Sequence, residues 1–195
     1  MIKSITYTLT FSLVFLLSCN VSGINDDQGT DIPESFRQDL ETVFDQYLDL
    51  KDVLVESDAE TAAGKADQLA QLIDNADYSN LDQESRHTWS EILEKMQSHS
   101  YGLSEEDDIE DQRIHFDEIS RVMIDMVTMY HPVDYDIYHQ QCTIFGDGTA
   151  DWLSRDEEIR NPYYGERMMD CGNVMDRMSH GHGNGNHHDG GGHHH

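Results

Sequence analysis

Four stretches between residues 33 and 130 carry apolar side chains at intervals of three and four residues. In the first stretch Phe36, Leu40, Val43 and Tyr47 follow this spacing, which places them on one face of a helix. The first helix is expected at about 33–57 and the second begins after Asp58. The third begins near Asp82, and the fourth begins at "SEED" (104–107) and ends at about Tyr130. Because the links between these stretches are short, neighbouring helices are expected to be antiparallel.

The chain changes character after Pro132, which ends the last helical stretch. "VDYDIYHQQC" alternates weakly and fits a short extended piece, "GDGTADW" is rich in turn residues, and "LSRDEEIRNP" fits one helical turn. No alternating run is long enough to predict a sheet. We therefore predict an all-α fold, an antiparallel four-helix bundle over residues 33–178 with an irregular, cysteine-containing lobe from about residue 133.

The N-terminus has the features of an export signal. Lys3 precedes an apolar run that is too short for a lasting membrane span, and the run ends in "LLSC". We interpret residues 1–18 as a lipoprotein signal peptide, Cys19 as the lipidated residue and residues 19–32 as a flexible tether. An ordinary secretory leader or an uncleaved anchor is the alternative. Each interpretation places the mature chain outside the cytoplasm, where disulfides can persist. The lipoprotein interpretation predicts a protein of the cell envelope that faces the periplasm or the cell surface.

The charge balance limits the classes of partner. The chain has 39 acidic and 12 basic residues, giving a formal net charge of −27. Such a surface repels nucleic acid and anionic lipid headgroups, so we expect no nucleic-acid partner and a membrane association through the lipid anchor alone. The charge attracts cations without selecting one of them.

The last 17 residues, 179–195, contain seven histidines and six glycines and cannot form a core. We predict a disordered tail that binds divalent metals weakly. The expected ligands of this low-affinity tail are His180, His182, His187 and His188.

Two cysteines, Cys142 and Cys171, remain once Cys19 is assigned to the leader. A disulfide between them would stabilise the fold by roughly 3–4 kcal/mol. Alternatively the two thiolates hold a soft metal ion, for which thioether sulfur is also a suitable ligand. Met168 would lie on the same side as Cys171 if this segment is helical, and His115 lies on the predicted inward side of the fourth helix. Both answers require the fold to bring the two sulfurs together.

Catalysis has little support in the sequence. There is no nucleophile elbow, phosphate-binding loop or His-Glu-x-x-His zinc helix. Carboxylates are so frequent that no single pair is informative. We predict that the protein is not an enzyme, and we keep a hydrolase with an acidic site as a remote alternative.

Two strings, "QRIHFDEIS" and "GTADWLSRDEEIRNPYYGERMMDCGNV", resemble a bacterial domain-of-unknown-function family. That family occurs as lipoproteins and fused to periplasmic adaptor subunits of copper/silver efflux pumps, and the resemblance covers roughly residues 35–178. It implies Cys142, Cys171, Met168 and His115 as ligands of a soft metal. The family usually reads Cys-Pro-Met at the first cysteine, and here Ile144 replaces that methionine.

The resulting hypothesis is a lipid-anchored extracytoplasmic protein that binds Cu(I) or Ag(I). It would buffer copper or hand it to a heavy-metal efflux adaptor, with copper as a bound ion rather than a catalytic cofactor. The alternative is a disulfide-stabilised helical protein-interaction module with no metal role.

Overall fold

The computed structural model describes residues 32–145 and 148–179, without the side chains of residues 144 and 145. The predicted signal peptide, nearly all of the predicted tether and the predicted histidine tail lie outside the described residues. Cys19, His180, His182, His187 and His188 are therefore not placed.

The four predicted helices are present. They are α1 (Glu34–Glu56), α2 (Ala59–Asn75), α3 (Gln83–Glu105) and α4 (Ile109–Tyr130). Asp58, Asp82 and Asp108 cap α2, α3 and α4, since each side chain accepts a backbone N–H from the first turn of its helix. A carboxylate at this end also interacts favourably with the helix dipole. Within the described residues, none of the helices is long and apolar enough to cross a bilayer.

Aromatic side chains link the helices into one core. Phe36 of α1 contacts Trp89 of α3 edge-on, with 4.9 Å between ring centroids, and Tyr130 of α4 edge-on at 5.6 Å. All three rings are fully buried. Edge-to-face pairs of this kind add to the free energy gained by burying apolar area.

The all-α prediction is wrong, because the chain after α4 forms a three-stranded antiparallel sheet. The strands are β1 (Ile137–Phe145), β2 (Gly148–Ser154) and β3 (Asn173–Met178), in the order β2-β1-β3. The fold is therefore a mixed one, four helices followed by a small sheet. The stretch "LSRDEEIRNP", predicted to include a helical turn, ends β2 and continues as irregular chain, and the nearby short 3₁₀ helix spans Gly165–Arg167.

The sequence pattern did not predict the sheet, because residues on both faces of its central strand, β1, are buried. Gln140 and Cys142 on one face of β1 are fully buried, and Ile137 on the other face is nearly so. The side-chain Nε2 of Gln140 donates to the carbonyls of Asp156, Glu157 and Glu158, at 2.8 to 3.3 Å, so the chain after β2 covers the first face. A strand buried on both faces lacks the apolar–polar alternation that identifies a strand in sequence.

The outer edge of β2 is closed by two tyrosine hydroxyls. The backbone N–H of Leu153 donates to Tyr47 of α1 at 3.1 Å, and Tyr163 donates to the carbonyl of Asp151 at 2.7 Å. Both tyrosines are fully buried. They satisfy backbone groups that an edge strand otherwise leaves exposed to another chain.

A buried arginine fixes the lobe to the helices. Arg113 of α4 is 1% exposed and donates to the carbonyls of Pro162 at 2.8 Å and Leu54 at 3.0 Å. It also donates to Ser57 at 2.9 Å and pairs with Glu110 at 2.8 Å. Burial lowers its pKa, and Glu110 opposes that effect. The guanidinium thus joins the C-terminal end of α1, the helix α4 and the chain that leads to Cys171.

Candidate functional site

The fold brings the two cysteines together. Cys142 lies in the middle of β1, opposite Ala150 of β2, and is fully buried in the core. Cys171 lies just before β3 and is partly exposed. Its thiol is hydrogen-bonded to the side chain of Cys142, and neither residue is in a disulfide. A contact between residues this far apart in sequence is created by the pairing of β3 with β1.

The contact changes the acidity of Cys171. The hydrogen bond to Cys142 raises the pKa of Cys171 to about 11, with burial and the charge of the Cys142 thiolate as further causes. Cys171 therefore keeps its proton at neutral pH and donates it to the sulfur of Cys142. A metal ion or an oxidant that engages both sulfurs must displace this proton.

Asn161 holds the chain around Cys171, and sequence reasoning did not single it out. Its side-chain Nδ2 donates to the carbonyl of Cys171 at 2.7 Å, while its Oδ1 accepts the N–H groups of Tyr163 at 2.8 Å and Tyr164 at 3.2 Å. Its own N–H donates to the carbonyl of Met169 at 2.9 Å. Asn161 is fully buried. The one signal in the sequence is an asparagine before a proline, which is typical of a turn.

Gly172 lets the backbone beside Cys171 approach the sheet. Its φ is +153°, and a Cβ at this position would lie 2.9 Å from the Trp152 ring and 3.2 Å from the carbonyl oxygen of Gln141. The first contact is closer than a Cβ atom tolerates and the second is tight, so with this positive φ the position favours glycine. Trp152 in turn lies directly across from Gln140 in the β-ladder.

The cross-strand pair Gln140 and Trp152 contains buried polar atoms. Trp152 Nε1 and Gln140 Oε1 have no hydrogen-bond partner among the described residues, although both side chains are fully buried. Unpaired buried groups are rare in proteins and are costly to retain. These two lie on the same face of the sheet as Cys142.

Met168 lies near Cys171 through a turn rather than through a helix. The backbone N–H of Cys171 donates to the carbonyl of Met168 at 3.1 Å, which closes a four-residue turn after the 3₁₀ helix. The side chain of Met168 is 37% exposed. The helical spacing used in the sequence argument therefore does not apply, but the turn keeps the two residues close.

His115 lies elsewhere, between α4 and α3. Its Nδ1 is 3.4 Å from the Nδ1 of His99, and its ring covers Gly102. Among the described residues, no three His, Cys, Asp or Glu side chains form a group that could hold a metal ion. The structure thus brings together Cys142, Cys171 and the turn containing Met168, and it places His115 with His99.

This donor set fits a narrow class of metal ion. Zinc in proteins takes four ligands, or three with an open position, and among the described residues the thiol pair is not part of a group of three ligands of the usual types. Soft ions such as Cu(I) prefer thiolate and thioether sulfur. Two adjacent cysteines with a methionine at the adjoining turn are consistent with such an ion and provide a poor site for a harder one.

No curated protein and no solved structure matches this chain. The comparison with family models found a match to its helical part. Residues 43–134 match the model of the family described as protein of unknown function (DUF3347). The matched span contains His115 but ends before the sheet and both cysteines of the candidate site. The match therefore supports a domain-of-unknown-function family for the helices of this protein.

Proposed function

We propose that this protein is a lipid-anchored extracytoplasmic protein that binds a soft monovalent ion, Cu(I) or Ag(I), at Cys142 and Cys171. The observation that carries the proposal is the hydrogen bond between the two thiols, one of which is fully buried. Two neighbouring thiolates can hold Cu(I) in near-linear geometry, and the thioether of Met168 is the supporting ligand. The protein buffers copper or passes it to an efflux adaptor.

The remaining parts of the proposal rest on the sequence. The "LLSC" motif supports Cys19 as the lipidated residue, and the leader supports a location in the cell envelope. The histidines from 180 to 195 collect metal weakly and at high local concentration. The resemblance supports a heavy-metal efflux adaptor as the partner. No catalytic role is proposed.

A Cu(I) competition experiment tests the thiol site. The reduced full-length protein is titrated with Cu(I) against a chromophoric chelator, beside a Cys142→Ser, Cys171→Ser double variant. We expect one tightly bound ion in the parent and its loss in the double variant, while Met175→Leu, which changes an exposed thioether, retains it. Equal affinity of the parent and the double variant would exclude the proposal.

The same contact between thiols supports a second function, an exported interaction module in which Cys142 and Cys171 form a structural disulfide. Mass spectrometry of freshly isolated protein, with and without thiol alkylation, separates the two. A pair that is fully oxidised and resists mild reductant favours the disulfide. A pair that is alkylated in the isolated protein and protected by Cu(I) favours the metal site.

A further inference from the structure

Two imidazoles face each other between α3 and α4, away from the cysteines. The Nδ1 atoms of His99 and His115 are 3.4 Å apart, the ring centroids are 5.7 Å apart and the ring planes are inclined by 52°. Both residues are partly buried. Nitrogen donors from two different helices thus meet at one point of the α3–α4 interface.

The distance between the two Nδ1 atoms matches the distance between two nitrogen ligands of a tetrahedrally coordinated metal ion. Zinc–nitrogen bonds of about 2.0–2.1 Å at a tetrahedral angle place two donor atoms about 3.3–3.4 Å apart. An N–H···O hydrogen bond is usually shorter, about 2.9–3.0 Å, and 3.4 Å between the two Nδ1 atoms is long for a direct hydrogen bond. We propose that His99 and His115 together bind a divalent transition-metal ion of the zinc class in this interface, through their Nδ1 atoms.

The helix backbone holds one imidazole in place. A Cβ at Gly102 would lie 2.4 to 2.9 Å from three atoms of the His115 ring, so this ring rests directly on α3. The absence of a side chain at Gly102 is what allows the ring of a residue on α4 to reach His99. A ligand fixed in this way loses little entropy when it binds a metal ion.

Burial favours the neutral, metal-binding form of the His99 imidazole. Burial lowers the pKa of His99, the Glu118 carboxylate opposes this effect, and His115 adds to it. A metal ion binds the neutral form of histidine, so a lowered pKa leaves more of the ligand available at neutral pH. Glu118 is three residues after His115 on α4 and places a negative charge beside the proposed ion.

This site is independent of the thiol pair. Imidazole suits zinc, nickel and Cu(II), whereas thiolate and thioether sulfur select Cu(I). Among the described residues, two side chains of the types that bind zinc meet at this site, and water completes the coordination. The site therefore binds more weakly than a four-ligand structural zinc site.

The experiment uses the full-length chain without the other candidate donors. Cys142 and Cys171 are changed to Ser, and the seven histidines from 180 to 195 are changed to Asn. Co(II) is added as a spectroscopic probe, and Zn(II) is then titrated against it. We expect one Co(II) per chain with the strong visible absorption of tetrahedral coordination, displaced by Zn(II).

The variants His99→Asn and His115→Asn are expected to weaken binding by more than about tenfold, because loss of even an outer-shell partner of a metal costs that much. His87→Asn changes an exposed histidine of α3 and should have no effect. Imidazole ¹⁵N signals of His99 and His115 in the background protein should shift together on addition of Zn(II). Signals that stay unshifted at saturating Zn(II), or Co(II) binding by both single variants that is as tight as in the background protein, would overturn the proposal whatever the outcome for Cu(I).

Discussion

Cys171 is the residue whose chemistry depends most on the fold. In an unfolded chain its thiol would have an ordinary pKa, whereas in the protein the hydrogen bond to Cys142 raises that pKa to about 11. Its protonated form is therefore favoured in the folded state. The stabilisation that this provides to the reduced protein is fully present below the ordinary thiol pKa and is lost as the pH rises through about 11.

The alkylation rate of Cys171 tests this shift. Since the thiolate is the reactive form, the rate of reaction with iodoacetamide should rise with a midpoint near pH 11 in the reduced protein. Cys142→Ala removes the main cause, so the midpoint should move down towards the ordinary value for cysteine. Mass spectrometry of the Cys171 peptide follows the rate at each pH. The same midpoint in both proteins would show that the two thiols do not interact.

Residue types alone predicted some residues of the candidate thiol site and not others. Cys142 and Cys171 were predictable as candidates, because two cysteines outside a predicted leader have few uses. Asn161 was not, since its role depends on backbone groups that only the folded loop brings within reach of its amide. The contact between His99 and His115 was not predictable either, since the two residues lie on different helices.

At the scale of elements, helices were predictable and strands were not. The backbone hydrogen bonds of a helix join residues four positions apart. A helix can therefore be recognised from the spacing of apolar side chains in a short stretch of sequence. In contrast, β3 pairs with β1 across more than thirty residues, and the pairing is interrupted between His139 and Gln140 by a bulge at Met175. All the residues of β3 except Met178 are exposed, so the strand has no apolar face to reveal it.

Tyr47 of α1 connects this helix to β2 through a hydrogen bond. Its hydroxyl accepts the N–H of Leu153 at 3.1 Å and is 2.9 Å from the hydroxyl of Ser120. Tyr47→Phe leaves both groups without this partner in a buried place. We expect a loss of about 1–3 kcal/mol in the free energy of unfolding.

Chemical denaturation gives this loss, and hydrogen exchange at the Leu153 amide locates it, since that amide should exchange faster in Tyr47→Phe. Tyr101→Phe is the matched control, because Tyr101 is 43% exposed and should lose little stability. Equal stability of the two variants would mean that the edge of β2 does not depend on the Tyr47 hydroxyl.

At the scale of the molecule, the helices and the sheet share one core. Trp152, Leu153 and Tyr163 of the lobe belong to the same buried cluster as Tyr47 and Phe116 of the helices. Tyr163 contacts Phe116 with 5.6 Å between ring centroids and Trp152 with 6.0 Å. The lobe that carries both cysteines is thus expected to unfold together with the helices.

The surface charge predicts a salt effect on the whole molecule. With 39 acidic and 12 basic residues, repulsion between carboxylates opposes the compact state, and salt screens it over about 10 Å at 0.1 M. Tm should therefore rise when NaCl is increased from a low concentration to the physiological range. Choline chloride of equal ionic strength should give the same rise by calorimetry if screening is the cause. A Tm that falls with either salt would contradict this reasoning.

The sequence by itself determined the four helices and the acidic surface, and it identified the two thiols of the candidate site. These properties depend on local spacing and on composition, which the order of residues states directly. Only the tertiary structure decided that the lobe is a sheet, that Cys142 is buried against Cys171, and that His115 faces His99. Each of these is a contact between residues distant in the chain, and such contacts form only when the whole core closes around them.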